Sequence, residues 1–296
     1  MKKVTLLCAL VLASFGVKAQ GFYADFNVGY GLGLPGNVLG TTTHTDILNG
    51  ASTVESKNLK GSLGQGLTLQ LTPGYMFNEH IGVELGINYF LGAKVLINEQ
   101  TSNFQWTALG INEDYSNRYD HAQSNQLRII PSVIISTGTS NKISGYAKAG
   151  LVMPVLGSTI VTTDAITAVF TGTAIQRTTL AAETEVKGSF SLGFRGAVGL
   201  NYNITDNLSI FGELYATGLN IKQKHRVLNS RTIDGVETTT TMTTYDKEIE
   251  YVKELNSSSN NSSYNANINA GSPKQELFAK TNFNQFGLQV GVKYNF

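Results

Sequence analysis

The sequence holds a single cysteine, Cys8, only five prolines, and no apolar run after its first twenty residues that approaches a membrane-spanning helix. No segment shows a helix-period apolar face of more than two turns. These absences exclude a good deal. A disulfide framework and a cysteine-based metal site both need cysteines beyond the first few residues. A helical bundle needs a longer helical stripe than any segment provides. A strong charge of one sign is missing as well. The chain has 22 basic residues, and removing Lys2, Lys3 and Lys18 of the leader leaves 19 against 21 acidic, a balance of −2. That is no electrostatic footprint for nucleic acid.

The first twenty residues read as an export signal. Lys2 and Lys3 form a basic start, and Val4 to Val17 form an apolar core too short to span a bilayer as a helix. Val17-Lys18-Ala19 places small residues where a signal peptidase reads, so residues 1–19 are expected to be removed and 20–296 to form one domain. Cys8 lies inside the apolar core behind Leu7, which is not the setting of a lipidated cysteine.

What is present is strand chemistry. Glycine (31 residues) and tyrosine (13) are frequent, and valine, isoleucine and threonine abound between Asn, Asp, Gly and Ser clusters. The end of the chain, FGLQVGVKYNF, alternates strictly: Phe286, Leu288, Val290, Val292, Tyr294 and Phe296 on one face, small or polar residues on the other. Segments 22–32, 62–77, 81–91 and 188–202 alternate in the same way, and 127–135, 143–153 and 208–218 do so less cleanly. The count is eight strands. The stretch YMFNEHIGVELG (75–86) resembles YNITDNLSIFGE (202–213), each an aromatic, a turn and an alternating apolar run, as in a tight hairpin.

Connections alternate in length. Short ones lie at 78–80, 136–142 and 205–207, and long ones at 34–62, 97–123, 158–185 and 225–277. Short turns on one side, long loops on the other and an even strand count point to an eight-stranded antiparallel up-and-down transmembrane β-barrel, all-β, with long extracellular loops. Two more strands hidden in the last two loops would make ten. A soluble β-sandwich or a periplasmic lipocalin-like barrel would alternate too, with the apolar face inward. Charge and glycine on the opposite face favour the membrane reading. So does a girdle of Phe22, Tyr75, Phe77, Tyr202, Tyr294 and Phe296 at the expected periplasmic strand ends.

On these features the chain resembles the small outer-membrane β-barrels of the OmpA-transmembrane-domain and OmpX type. The likeness is one of architecture over the whole mature chain, and the terminal aromatic strand is its most specific motif. The resemblance implies a Gram-negative outer-membrane location with periplasmic termini. It also implies that the barrel-assembly machinery reads Phe286, Leu288, Val290, Val292, Tyr294 and Phe296.

If that face meets lipid, the other holds Asp25, Glu84, Arg128, Lys148, Arg195, Glu213 and Lys293. An eight-stranded interior is just wide enough for side chains to fill it. Charges of both signs are expected to pair there as a plug, with Asp25 close to Lys293 and Arg195 near Glu213; a selectivity filter is the alternative. GLGLPG (31–36) matches a dinucleotide-binding glycine pattern, but it sits at a strand end instead of opening a helix. His44, His80, His121 and His225 are scattered, and Asp120, His121 and Ser124 are the nearest approach to a hydrolytic set. In the last loop, ETTTTMTTY (237–245) is expected to extend strands, and NSSSNNSSYNAN (256–267) to be a mobile low-complexity stretch.

The expectation is therefore a non-enzymatic, monomeric, structural or adhesin-like outer-membrane protein. It has no cofactor, no metal and no further domain after the barrel. Its partners are outer-membrane lipid, the assembly machinery, and a ligand or host surface met by the loops. A narrow OmpW- or porin-like channel is the alternative, and an outer-membrane lipid hydrolase the remote one.

Overall fold

The computed structural model describes residues 21–138 and 142–296, leaving aside the side chains of Asn112 and Glu113. The expected export signal, 1–19, lies outside the described residues, as do 139–141 in one of the short connections.

Seventeen strands follow in chain order. The first six are β1 Phe22–Gly33, β2 Asn37–Leu48, β3 Ala51–Gly61, β4 Gly66–Met76, β5 Ile81–Gly92 and β6 Val95–Trp106. Two long strands come next, β7 Ile111–Ser136 and β8 Ile143–Phe170, then β9 Ile175–Gly188, β10 Gly193–Asn203 and β11 Leu208–Gly218. The remainder are β12 Asn220–Ile233, β13 Val236–Glu237, β14 Glu248–Val252, β15 Lys274–Leu277, β16 Lys280–Asn282 and β17 Gln285–Asn295.

Eight of them close into a ring. β1 pairs with β4, β4 with β5, β5 with β7, β7 with β8, β8 with β10, β10 with β11, β11 with β17, and β17 with β1, every pair antiparallel. These are the eight strands expected from the alternation, and none of the others enters the ring. The expected start of β10 is five residues early, because Gly188 still belongs to β9. Closure pairs Val28 with Val290 and Asp25 with Lys293.

Period two decides what each face meets. Phe26, Val28, Leu71, Leu85, Val198, Leu214 and the six alternating residues from Phe286 to Phe296 all lie exposed on the outside. Tyr23, Asp25, Gln70, Glu84, Arg195, Glu213 and Gln289 are buried inside. The fold therefore inverts a soluble protein, with apolar side chains out and polar side chains in. At the lower rim, near the two chain ends, Phe22 and Tyr75 have ring centroids 4.6 Å apart and Tyr75 and Phe77 5.4 Å apart. Tyr294 and Phe296 lie 5.1 Å apart there, and the Lys142 ammonium sits 5.2 Å over Tyr202.

The four long connections are not loops. They carry the other nine strands, stacked above the ring. β7 and β8, 26 and 28 residues long, run through the barrel wall and on upward, pairing without interruption of direction from Ser136–Tyr146 to Tyr115–Ala168. Beside them rises a sheet in the order β3, β2, β6, β7, β8, β9, β12, with β14 and β15 beyond. The β2–β6 pair is parallel. Two turns made the hairpins possible: Asn49-Gly50 (φ 49° and 86°) and Asp234-Gly235 (φ 52° and 80°). Both hold the left-handed geometry of a two-residue hairpin turn.

Two expectations for the last connection need correction. ETTTTMTTY forms only the short strand Val236–Glu237 at its start, then a 3-10 turn at Thr239–Thr241 and one helical turn at Thr244–Lys247. The Asn- and Ser-rich stretch is a set of turns clamped by asparagine. Asn260 Nδ2 donates to the carbonyls of Asn269, Ser272 and Pro273 at 3.0, 3.1 and 2.9 Å, and Asn261 Nδ2 to that of Gln275 at 2.7 Å. GLGLPG lies across the end of β1 and the start of the β1–β2 connection, and a strand follows it, so it frames no helix N-terminus.

The outward face yields a direct test. Val290→Arg should cost about 2–4 kcal/mol of unfolding free energy if its site lies near the midplane of a bilayer, falling towards zero at the interface. Urea unfolding in lipid vesicles measures it. Arginine tolerated at Val290, Leu214 and Val28 alike would count against a membrane wall.

Candidate functional site, the filled lumen

Among the described residues, buried charge concentrates in the barrel interior. Lys148, on the lower half of β8, is its centre. Its ammonium lies 3.0 Å from Glu84, 3.3 Å from Glu213 and 3.7 Å from Asp25, so one cation meets three carboxylates from three other strands. Arg195 Nη2 is 3.5 Å from Glu213 and donates to Gln289 Oε1 at 2.7 Å. Gln289 Nε2 in turn donates to Glu213 at 2.7 Å. The tyrosines complete the shell: Tyr23 donates to Glu84 at 2.5 Å and Tyr146 to Glu213 at 3.1 Å. A buried ion costs several kcal/mol in lost hydration, which is recovered only when partners and hydrogen bonds are all in place. Here each carboxylate has both.

Five of the seven charges picked from the sequence thus form one network. The other two do not join it. Lys293 is the register partner of Asp25, yet its ammonium lies 3.5 Å over the Tyr23 ring, a cation–π contact at the lower mouth. The nearest cation to Asp25 is Lys148 instead. Arg128 sits higher, 4.1 Å over the Phe90 ring, with its Nε donating to Gln126 at 2.9 Å. Turning the Gln285 amide gives Arg128 an acceptor at 3.2 Å.

Above Arg128 the lumen becomes apolar. Leu63, Phe90, Val152, Leu219, Ile221 and Phe283 form a buried cluster where the ring meets the upper sheet. The sequence pattern did not suggest this layer, because Leu219, Ile221 and Phe283 lie beyond the alternating segments and Leu63, Phe90 and Val152 one residue inside their ends. The aromatics lower down lie flat on glycine. A Cβ at Gly199 would stand 2.5 Å from the Tyr146 ring, and one at Gly287 2.5 Å from the Tyr215 ring. Glycine on the wall therefore makes room for a tyrosine from a neighbouring stave. Between Gln70, Glu84, Lys148, Arg195 and Glu213 the space left is ≈ 10 Å³, no more than the smallest cavity that holds one water.

Chemistry elsewhere is sparse. Asp120 and His121 are consecutive on β7 and point to opposite faces. The Asp120 carboxylate accepts from Thr163 at 2.5 Å, Asn98 at 2.8 Å and Arg118 at 3.1 Å, while Ser124 donates to the Ser158 carbonyl. They form no hydrolytic relay. Burial works to raise the pKa of Asp120, but the bonds from Thr163, Arg118 and Asn98 outweigh it and hold the carboxyl below its usual range. His44 lies 2.6 Å from Thr101 Oγ1, His80 3.1 Å from the Ser136 carbonyl, and His225 3.3 Å from Glu248. Among the described residues no group of three acidic, histidine or cysteine side chains is placed to hold a metal.

The network predicts a sharp asymmetry. Lys148→Met strands three carboxylates and should destabilise the barrel by about 3–5 kcal/mol, the cost of breaking a buried ion cluster by removing one partner. Adding Glu213→Gln should recover part of that loss. Denaturant unfolding followed by tyrosine fluorescence and gel mobility measures both; an unchanged midpoint for Lys148→Met would remove the network from the account of stability.

No protein-family model and no curated protein sequence matches the chain. Solved structures to which it is similar include the following three. One is Neisserial surface protein A, at 11% identity over 93% of this chain and 97% of that one, with a TM-score of 0.35. Another is the outer membrane protein OprG from Pseudomonas aeruginosa, at 13% identity over 94% and 97%, with a TM-score of 0.37. The third is the translocator domain of the autotransporter NalP from Neisseria meningitidis, at 8% identity over 100% and 95%, with a TM-score of 0.24. These likenesses are loose. The outer-membrane-type barrel fold rests on this chain's own ring of eight antiparallel strands with its apolar side outward.

Proposed function

We propose that the chain is a non-enzymatic integral outer-membrane protein whose barrel is a closed anchor and whose upper sheet is the working surface. The short turns and both described ends lie on the periplasmic side in this reading, and the upper sheet faces outward. Outer-membrane lipid covers the apolar face, and the barrel-assembly machinery reads the last strand. Within its own membrane the protein acts as a monomer, presenting the sheet to a ligand or surface outside.

The observation that carries the closed-anchor reading is the filled lumen. A channel needs a continuous wet path. Here the charged layer leaves ≈ 10 Å³ at its centre, and Phe90, Leu219 and Phe283 close the interior above it. The lower mouth is a vestibule of ≈ 860 Å³ lined by Tyr23, Met76, Lys142 and Asn295, and the Lys293 ammonium lies over the Tyr23 ring. A narrow solute channel would require this stack to part.

Planar-bilayer recording distinguishes the two. Wild-type protein should give little or no steady conductance. Replacing Asp25, Glu84, Lys148, Arg195 and Glu213 together by alanine removes all five charges of the network, so none is left without its partner, and should raise leakage. Large, regular openings by the wild type would overturn the anchor reading in favour of a channel.

A further inference from the structure

We propose that the free edge of β3 is a homotypic contact, which pairs antiparallel with β3 of a second copy seated in an opposing membrane. The inference rests on the reading of the barrel as a membrane anchor with its sheet outward. β3 pairs with β2 along one side, from Asn37–Gly61 to Leu48–Ala51. Among the described residues the only strand register that includes β3 is the one with β2. Ala51 to Asn58 are all exposed. A row of unpaired N–H and C=O groups on an edge is a template for another strand.

The residues on this edge say which strand fits. Glu55 and Lys57 lie on one face, with carboxylate and ammonium 2.6 Å apart. Set two copies antiparallel about a two-fold axis through Ser56. Glu55 of each copy then stands opposite Lys57 of the other, Val54 opposite Asn58, Thr53 opposite Leu59, and Ser52 opposite Lys60. The four charges form a square of alternating sign. Now run the two edges in the same direction without offset, as two-fold symmetry requires. The two-fold axis then lies along the strands and turns the second copy over, so its Glu55 and Lys57 project from the opposite face and no ion pair forms across the seam.

The fold turns this preference into a statement about membranes. β6 climbs beside the upper half of β7, β2 runs parallel to β6, and β3 is antiparallel to β2, so β3 runs back towards the barrel. Two edges join antiparallel in one continuous sheet through a two-fold axis perpendicular to that sheet. The upper sheet continues the barrel wall, so this axis lies in the membrane plane and inverts the second copy. Its barrel then points into a facing membrane. Copies in one membrane are related by an axis along the membrane normal, which sets the β3 edges in the same sense. The contact is isologous, and its cross-strand ion pairs form only between copies that face each other.

The test uses full-length mature protein in phosphatidylcholine vesicles, with insertion checked by heat-modifiable migration and sheet exposure by protease shaving. Wild-type vesicles should aggregate. Vesicles carrying only Lys57→Glu, or only Glu55→Lys, should lose aggregation, and mixing the two variant populations should restore it. Ser56→Cys places a thiol on the two-fold axis of a mature chain that otherwise lacks cysteine, so oxidation should link copies from differently labelled vesicles. Aggregation that survives Lys57→Glu, variant populations that fail to complement, or Ser56→Cys links formed only within one vesicle would each overturn the proposal. Protein that never inserts refutes the membrane reading instead. Inserted protein whose wild-type vesicles stay dispersed refutes the pairing alone.

Discussion

Everything in this molecule follows from the need to pair every backbone N–H and C=O within the wall. In hydrocarbon an unpaired group costs several kcal/mol, and a sheet meets the demand only by closing on itself. The β1–β17 ladder, eleven partners from Tyr23–Asn295 to Gly33–Gln285, is that closure. Once it exists, parity is fixed for all eight staves. A slip of one residue at β17 would turn Val290 and Leu288 inward and push Gln289 and Lys293 out. The ladder thus determines which side chains meet the outside and which must find partners inside.

The lumen is the second consequence. Eight strands enclose a space that side chains must fill, and parity delivers mostly polar ones. The charged ones at the centre find partners by convergence on Lys148 and by the bridge from Arg195 through Gln289 to Glu213. The tyrosines add volume and a donor each, and the small wall residues opposite them admit their rings. Higher up the constraint relaxes. The strands there have left the zone where the outer face must be apolar, so the inner face can take Leu219, Ile221 and Phe283, and the interior becomes an ordinary apolar core.

The ring was legible in the sequence because its signal is redundant. Each stave carries its own alternation, and the short turns fix the order. The upper sheet was not, because its strands are largely half-buried and their threonines and asparagines carry no apolar period. The two hairpin turns were in plain view as Asn49-Gly50 and Asp234-Gly235, yet without an alternating flank they were not read. The site was legible to the level of face and height. Alternation placed Asp25, Glu84, Arg128, Lys148, Arg195, Glu213 and Lys293 inside, and strand neighbours put Asp25 beside Lys293. It does not determine rotamers. Lys293 has a ring beneath it and takes the cation–π contact, whereas Lys148 reaches Asp25 from across the barrel.

The length of β7 and β8 explains why the upper sheet matters. At roughly 3.3 Å per residue, a strand tilted by about 45° crosses the hydrocarbon core in 9–11 residues. β7 has 26 residues and β8 has 28, so about half of each lies beyond the wall. A flexible loop at that point would only shield the surface. A strand that runs on cannot swing without breaking ladder hydrogen bonds between β7 and β8, which continue from the barrel to Tyr115–Ala168. The sheet above the rim therefore inherits its orientation from the barrel below. An edge such as β3 then has a fixed direction relative to the barrel, which is what the proposed contact between facing copies requires.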